Sequence, residues 1–151
     1  MVTAVKPRRP YLTLLLLLAL AGCEREPSDS SKIQAALDYG RLAPLPASAH
    51  DVAVKTSGNM FARVFWLRFS ASSGDISAWL AASKSIENDD RGRAVPPAAV
   101  TPGCLYNAPA WYRPSDVKRG RLLEVPDEDD TRGWVLIDDD RHDLLICTSH
   151  G

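Results

Sequence analysis

Two acidic runs, residues 127–130 (Asp-Glu-Asp-Asp) and 138–140 (Asp-Asp-Asp), are the most conspicuous groups that could do chemistry. Carboxylate oxygens are the ligands that Ca²⁺ prefers, so two runs gathered at one end of a sheet could form a calcium site. The first run fails the helix-loop-helix calcium pattern, because Arg132 stands where that pattern has its sharp-turn glycine. Both runs also fall in predicted turns of a meander, and consecutive turns of a meander lie at opposite ends of its sheet. We therefore expect two solvated turns, with metal binding as the alternative.

The three histidines, His50, His142 and His150, carry the other groups that could act in catalysis. None is spaced from another as a pair of zinc ligands on a helix would be. Ser70 or Ser149 could meet a histidine and an aspartate in space, but no local sequence marks either serine as a nucleophile. The chain also lacks the Gly-x-Ser-x-Gly, phosphate-loop and dinucleotide motifs. The sequence therefore predicts no enzyme, no metal site and no cofactor.

The composition is that of an ordinary globular domain. The chain has 151 residues, of which 45% are hydrophobic and 25% are charged, and this length supports a single domain. Its formal net charge of -1 gives no reason to expect a nucleic acid as a partner. The first 22 residues hold Lys6, Arg8, Arg9 and no acid, so the side chains of the remainder carry about -4.

The N-terminus has the pattern of an export signal. Three basic residues precede an apolar run from Tyr11 to Ala21, and a helix of that length spans about 16 Å, half of a hydrocarbon core. A permanent transmembrane helix needs a longer run, so the pattern favours a removable signal peptide. The run ends in Leu20-Ala21-Gly22-Cys23, which resembles the lipobox of bacterial lipoproteins.

The lipobox resemblance covers residues 1–23. It implies cleavage before Cys23 and attachment of a diacylglyceryl group to the thiol of Cys23, and the acyl chains would then hold the protein on a bilayer. In such proteins an Asp after the cysteine often signals retention in the inner membrane, so Glu24 favours the outer membrane. An ordinary signal peptide with a coincidental cysteine is the alternative.

Lipidation of Cys23 would leave Cys104 and Cys147 as the remaining thiols. Such a pair in an exported protein is a natural candidate for a disulfide, which would close a loop of about 44 residues and contribute about 4 kcal/mol. Two buried free thiols are the alternative. Two thiols are also too few for a cysteine-rich zinc site.

The resemblance and the composition together divide the chain into three parts. Residues 1–22 are expected to be the signal peptide, residues 23–31 a lipidated cysteine with a flexible tether, and residues 32–151 one globular domain. That domain is expected to begin with a short helix from Lys32 to Tyr39, capped by Ser31.

A hairpin and a second helix are predicted next. Residues 51–56 and 60–70 alternate with the period of two that indicates strands, and turn residues join them. Ser72 and Asp75 then predict the start of a helix that ends near Lys84. The side chains expected to meet in the core between hairpin and helix are Phe61, Phe65, Leu67, Phe69, Ile76, Trp79 and Leu80.

Three further strands, 121–125, 134–137 and 144–149, are separated by the two acidic turns and predict a meander. The sequence therefore predicts an α+β domain, in which a small antiparallel sheet of about five strands has a helix packed on one face.

Two segments between the second helix and the meander have no regular pattern. Residues 87–103 show no periodicity, so we expect a mobile or functional loop. Trp111 and Tyr112 follow between Pro109 and Pro114, and this rigid aromatic segment could be an interaction surface. It could also fold back as a lid on the core.

The function follows only in outline. A small domain on a short lipid tether, without a catalytic motif, is typical of an accessory protein that contacts another protein of the cell envelope. A periplasmic inhibitor or immunity-type protein against an exported enzyme or toxin is a first alternative, because the acidic balance suits a basic cleft. A small ligand-binding or enzymatic domain that uses Trp111 and Tyr112 is a second alternative.

Overall fold

A computed structural model of the chain describes residues 28–59, 61–86, 93–94, 102–128 and 130–151. The expected signal peptide, the lipidation site at Cys23 and most of the expected loop 87–103 lie outside these residues. The described residues form an α+β domain, in which a six-stranded antiparallel sheet is accompanied by two longer helices.

Helix α1 (Asp29–Tyr39) begins at a serine cap. Ser28 is that cap, and its Oγ accepts a hydrogen bond from the N–H of Ser31 at 3.4 Å. The predicted start at Lys32 is therefore wrong, because Ser28 takes the capping position and Ser31 lies inside the first turn. Residues 29–31 of the expected tether therefore belong to α1, and the helix starts closer in sequence to Cys23 than the sequence pattern indicates.

Helix α2 (Ser73–Ala82) starts as predicted, because the N–H of Asp75 donates to Oγ of Ser72 at 3.2 Å. It ends before the predicted Lys84, where Ser83 leaves the helical conformation. Oγ of Ser83 donates to the carbonyl of Trp79 at 2.9 Å and accepts from the N–H of Ala43 at 3.0 Å. The end of α2 is therefore tied to the segment that follows α1.

The sheet combines the predicted hairpin and the predicted meander, and both are confirmed. Its strands are β1 (His50–Gly58), β2 (Arg63–Ser70), β3 (Arg93–Ala94), β4 (Gly120–Glu128), β5 (Thr131–Asp138) and β6 (Asp143–His150). Their order is β1-β2-β6-β5-β4-β3, with every neighbouring pair antiparallel. The hairpin therefore joins the meander through the pairing of β2 with β6, which brings residues far apart in the sequence side by side.

The first face of the sheet packs against α1 and α2 and forms the larger core. Phe65, Leu67 and Phe69 of β2 are at most 2% exposed, as predicted for this face. Phe69 meets Trp79 of α2 edge to face, with 5.5 Å between the ring centroids. Ile76 belongs to the same cluster. The predicted contact between hairpin and second helix is therefore confirmed for these residues.

Phe61 is the exception, because it is 77% exposed. The side-chain oxygen of Asn59 accepts from the N–H of Phe61 at 2.8 Å and from that of Ala62 at 3.0 Å. This turn delays β2 until Arg63, so Phe61 lies outside the strand and its predicted place in the core is wrong. Gly58 allows the turn with φ of 117°, and a Cβ there would lie 2.1 Å from the carbonyl oxygen of Ala62.

The second face of the sheet is also covered. A covering segment (residues 104–119), which includes the end of the short helix α3 (Pro102–Leu105) and a 3-10 turn (Pro114–Asp116), lies on it. The buried side chains shared by the segment and the sheet are Trp66, Cys104, Tyr112, Val117, Leu136, Leu145 and Cys147. The sheet thus has helices on one face and an irregular, apolar segment on the other.

Candidate functional site

A cavity of about 540 Å³ opens on the second face, between the covering segment and one end of the sheet. Its apolar walls are Trp111, Val117 and Leu145. Six charged side chains complete the lining: Arg68, Arg113, Arg141, Asp116, Asp138 and Asp143. The cavity therefore combines a hydrophobic wall with an equal number of cationic and anionic groups.

Strand register brings the sheet residues of this cavity together. Ser70 at the end of β2 pairs with Asp143 at the start of β6, and Asp143 pairs in turn with Asp138 at the end of β5. Directly paired residues share a face of the sheet, so these three side chains and Arg68, two residues before Ser70, all belong to the second face.

Asp143 is held by two partners from β2. Its Oδ2 lies 3.0 Å from a terminal nitrogen of Arg68, and its Oδ1 makes a short hydrogen bond with the hydroxyl of Ser70. The side chains of Arg68 and Asp143 are 33% and 15% exposed, so the ion pair is partly shielded from water. Both carboxylate oxygens of Asp143 are therefore occupied by groups of the protein itself.

Asp138 stabilises the turn between β5 and β6. Its Oδ1 accepts from the backbone N–H of Asp140 at 3.0 Å and of Arg141 at 3.2 Å. Its Oδ2 lies 3.6 Å from a guanidinium nitrogen of Arg141, and its side chain is 5% exposed. The residue that completes this turn, His142, adopts φ of 55°. Asp138 is therefore a structural carboxylate whose oxygens face donors of its own turn.

The acidic run 138–140 is neutralised by arginines. Beside the pair of Asp138 with Arg141, Oδ1 of Asp139 lies 3.0 Å from Arg121, and Asp140 forms a close ion pair with Arg119. Among the described residues, no group of three or more His, Cys, Asp or Glu side chains could hold a metal ion. Of the first acidic run only Asp130 has a described side chain, and it lies in the turn between β4 and β5 at the other end of the sheet.

The histidines do not form a catalytic group with the serines considered from the sequence. His50 stands opposite Ser70 in the register of β1 and β2, but its Nδ1 lies 3.0 Å from the carbonyl of Ser48. The hydroxyl of Ser70 donates a hydrogen bond to Asp143 instead. His150 packs against Tyr39, with 5.3 Å between the ring centroids. A serine nucleophile needs a base within hydrogen-bond reach, and the carboxylate beside Ser70 is already paired with arginine.

Cys104 and Cys147 are joined as a disulfide, with their Cα atoms 6.0 Å apart. Cys147 lies in the central strand β6, and Cys104 lies at the start of the covering segment, so the bond attaches that segment to the sheet. Both residues are at most 6% exposed. The bond is therefore part of the interior of the second face.

Trp111 and Tyr112, considered from the sequence as an interaction surface, have different places. Tyr112 is 4% exposed and packs on the second face, so its ring acts as a lid and is closed to a partner. Burial raises the pKa of its hydroxyl above the ordinary value, and that hydroxyl has no hydrogen-bond partner in the described structure. Trp111 is half-buried and lines the cavity.

Sequence reasoning did not find the arginines of the cavity. Arg68 follows Val64 and Trp66 on the second face of β2, and a charged residue at the end of such an apolar row was the available signal. Its partner Asp143 could not be found, because the pairing of β2 with β6 joins residues 75 positions apart.

Comparisons of this chain with models of protein families, with curated proteins and with solved structures find no match. In the part of the chain that the structure describes, none of the helices has the length and apolar character needed to cross a membrane.

Proposed function

We propose that this protein is a lipid-anchored domain of the bacterial cell envelope that works by contacting another envelope protein. The observation that carries the proposal is the N-terminal pattern, in which a basic segment and an apolar run end in Leu20-Ala21-Gly22-Cys23. Residues of that type in that order are what the lipoprotein resemblance requires, with Cys23 as the acylated residue. Glu24 favours the outer membrane as the location.

The short distance between Cys23 and the folded domain supports an anchoring role. The cap of α1 is Ser28, so only five peptide units separate it from the lipidated residue. Such a segment spans about 18 Å at most when fully extended. Ala36 and Leu37 fix α1 on the sheet core. An anchor at Cys23 would therefore hold the whole domain close to the bilayer surface.

The disulfide supports an oxidising compartment, because such bonds persist in the periplasm and are rare in the reducing cytosol. It also fixes the start of the covering segment. The carbonyl of Cys104 accepts from the indole of Trp66 at 2.8 Å, and Nζ of Lys55 lies 3.4 Å from the carbonyl of Asn107. The residues between these attachments are held to the sheet from both sides.

The contact surface is proposed to be the exposed pair between these attachments. Leu105 is 51% exposed and Tyr106 is 75% exposed, although their neighbours Cys104 and Asn107 are tied to the sheet. An aromatic side chain on a rigid backbone loses little entropy when a partner binds. This role replaces the one considered for Tyr112, whose ring is buried.

The test is site-specific photo-crosslinking in intact cells. A benzophenone amino acid in place of Tyr106 should form an adduct with one envelope protein, and the same amino acid in place of the equally exposed Phe61 should not. The Tyr106 adduct should disappear when Cys23→Ala is added, because the domain then leaves the membrane. No adduct at position 106, or the same adducts at both positions, would contradict the proposal.

The alternatives predict other outcomes in the same experiment. A dedicated inhibitor should crosslink to a single hydrolase or toxin, which mass spectrometry of the adduct identifies. The ligand-binding alternative is favoured by one observation, the cavity beside Trp111.

A further inference from the structure

The buried carboxylates of the cavity are paired with groups of the protein, whereas some arginine N–H groups of its lining are not. Both oxygens of Asp143 are engaged by Arg68 and Ser70, and both oxygens of Asp138 face N–H groups of their own turn. The two buried carboxylates of the lining are therefore already paired with groups of the protein, Asp143 through hydrogen bonds and Asp138 through hydrogen bonds to Oδ1 and an ion pair at Oδ2.

The arginines of the lining keep free donors. Arg113 donates its Nε proton to the carbonyl of Ala110 at 2.7 Å, and its terminal N–H groups have no partner among the described residues. Arg141 approaches Asp138 only to 3.6 Å, beyond hydrogen-bond length, so its guanidinium also retains donors. A guanidinium presents five N–H groups in a planar fork that matches a carboxylate. The cavity therefore offers unused donors to an acceptor ligand.

We propose that this cavity binds a ligand that carries one carboxylate beside an apolar or aromatic group. The carboxylate is bound by Arg113 and Arg141 at the polar side, and the apolar group packs on Trp111, Val117 and Leu145. A volume of about 540 Å³ lies in the range of small-molecule sites. This inference does not depend on lipidation at Cys23, and it assigns a role to a surface that the proposed envelope contact does not use.

The charges of the lining select a monoanion. Asp116 is exposed, has no ion-pair partner among the described residues, and lines the same cavity. Three arginines and three aspartates give the lining no net charge at neutral pH. A dianion such as phosphate would gain little from this field and would meet the carboxylate of Asp116. A single carboxylate can face the unused N–H donors of Arg113 and Arg141.

The wall that carries Arg113 and Trp111 is fixed before a ligand arrives. The N–H of Tyr112 donates to the carbonyl of Pro109 at 2.9 Å, and the N–H of Asp116 donates to that of Arg113 at 3.1 Å. Tyr112 and Val117 anchor the same wall in the apolar cluster of the second face. Binding therefore costs little ordering of the backbone.

Isothermal titration of the full chain, purified in detergent, tests the site with benzoate as the probe. Benzamide is the neutral control of the same shape, and inorganic phosphate is the dianion control when all three are titrated at about pH 8.5. We expect saturable millimolar binding of benzoate and none of benzamide or phosphate. Arg113→Gln should weaken benzoate about tenfold, since a hydrogen bond to a charged group is lost. Arg63→Gln, on an exposed arginine at the other end of β2, should leave it unchanged.

Thermal unfolding without ligand shows whether the variants are folded. If Arg113→Gln melts below the wild type, Arg141→Gln takes its place in the titration with the same expected loss. Benzoate that does not saturate, binds equally to the folded arginine variants, or binds no better than benzamide would overturn the proposal. A phosphate affinity equal to that of benzoate would overturn the choice of a monocarboxylate.

Discussion

The indole N–H of Trp66 donates to the carbonyl oxygen of Cys104 at 2.8 Å, in the interior of the second face. Trp66 also stands directly opposite Cys147 in the pairing of β2 with β6. Cys104 therefore meets two neighbouring strands at once, one through a hydrogen bond and one through the disulfide. This arrangement is what holds an irregular segment on a sheet face that would otherwise expose a row of apolar side chains.

Trp66→Phe should destabilise the domain by about 2 kcal/mol. The variant loses the buried hydrogen bond to the carbonyl of Cys104 and opens a small cavity. Trp134→Phe is the matched control, because Trp134 is half-buried against the same cluster and should cost less than about 1 kcal/mol. Reversible urea unfolding measures both losses. Equal losses for the two tryptophans would show that the hydrogen bond has no special role.

The two phenylalanines of the hairpin should differ sharply. Phe65→Ala should cost about 3 kcal/mol or more, because Phe65 is 2% exposed and the substitution leaves a cavity in the first face. Phe61→Ala should cost less than about 0.5 kcal/mol, because Phe61 lies in the turn and is 77% exposed. Urea unfolding of the two variants beside the wild type checks the assignment of the inward face. A large loss for Phe61→Ala would mean that β2 starts earlier than Arg63.

Tyr112→Phe should stabilise the domain by about 1 kcal/mol at neutral pH. The hydroxyl of Tyr112 is buried without a hydrogen-bond partner among the described residues, so its removal eliminates a desolvation cost. Urea unfolding at pH 7 measures the difference. A loss of stability above about 1 kcal/mol would instead indicate that this hydroxyl has a partner.

The advantage of Tyr112→Phe should increase in alkali. Burial raises the pKa of this hydroxyl in the folded state, so above about pH 10 the unfolded chain releases the proton while the folded chain keeps it. The folded state then binds more protons than the unfolded state, and the stability of the wild type falls as pH rises. Tyr112→Phe lacks this contribution, so the difference between the two proteins should grow between pH 9 and pH 11. A difference independent of pH would contradict the burial of the hydroxyl.

The disulfide should be present in protein isolated from the cell envelope. Alkylation of the unfolded chain without reductant should modify neither Cys104 nor Cys147, and alkylation after reduction should modify both, as mass spectrometry of the peptides shows. The double variant Cys104→Ala/Cys147→Ala should lose about 3 to 4 kcal/mol, because the unfolded chain regains the freedom of the closed loop. Alkylation of both cysteines without reductant would refute the bond in the native protein.

Local patterns predicted the elements of this fold better than their assembly. The cap of α2 at Ser72, the alternation of β2 and the turns of the meander depend on residues close in the sequence. The predicted start of α1 was wrong because Ser28 and Ser31 are both suitable N-cap residues, and the sequence alone does not show which of them caps the helix. The predicted burial of Phe61 was wrong because the side chain of Asn59 binds the N–H groups of Phe61 and Ala62 and forms a turn where the alternating pattern predicted a strand.

The candidate site was harder to predict because it is made of pairs distant in the sequence. Arg68 meets Asp143 because β2 pairs with β6, and the covering segment meets β6 through the disulfide between Cys104 and Cys147. The acidic run 138–140 is visible in the sequence, but the arginines that neutralise it are not next to it. Arg121 lies in β4, and Arg119 lies just before that strand. Trp111 was singled out for its position between prolines, yet its cavity depends on strand ends that no local pattern relates to it.

Metabolic labelling with a palmitate analogue tests directly whether Cys23 carries a lipid anchor. Cells that express the wild type or Cys23→Ala are labelled with a palmitate analogue, and the purified chains are compared for label and for their division between membrane and soluble fractions. The proposal predicts that the wild type is labelled and sediments with the membrane, whereas Cys23→Ala carries no label and leaves the membrane. Equal labelling of the two chains, or no label on either, would contradict the lipid anchor.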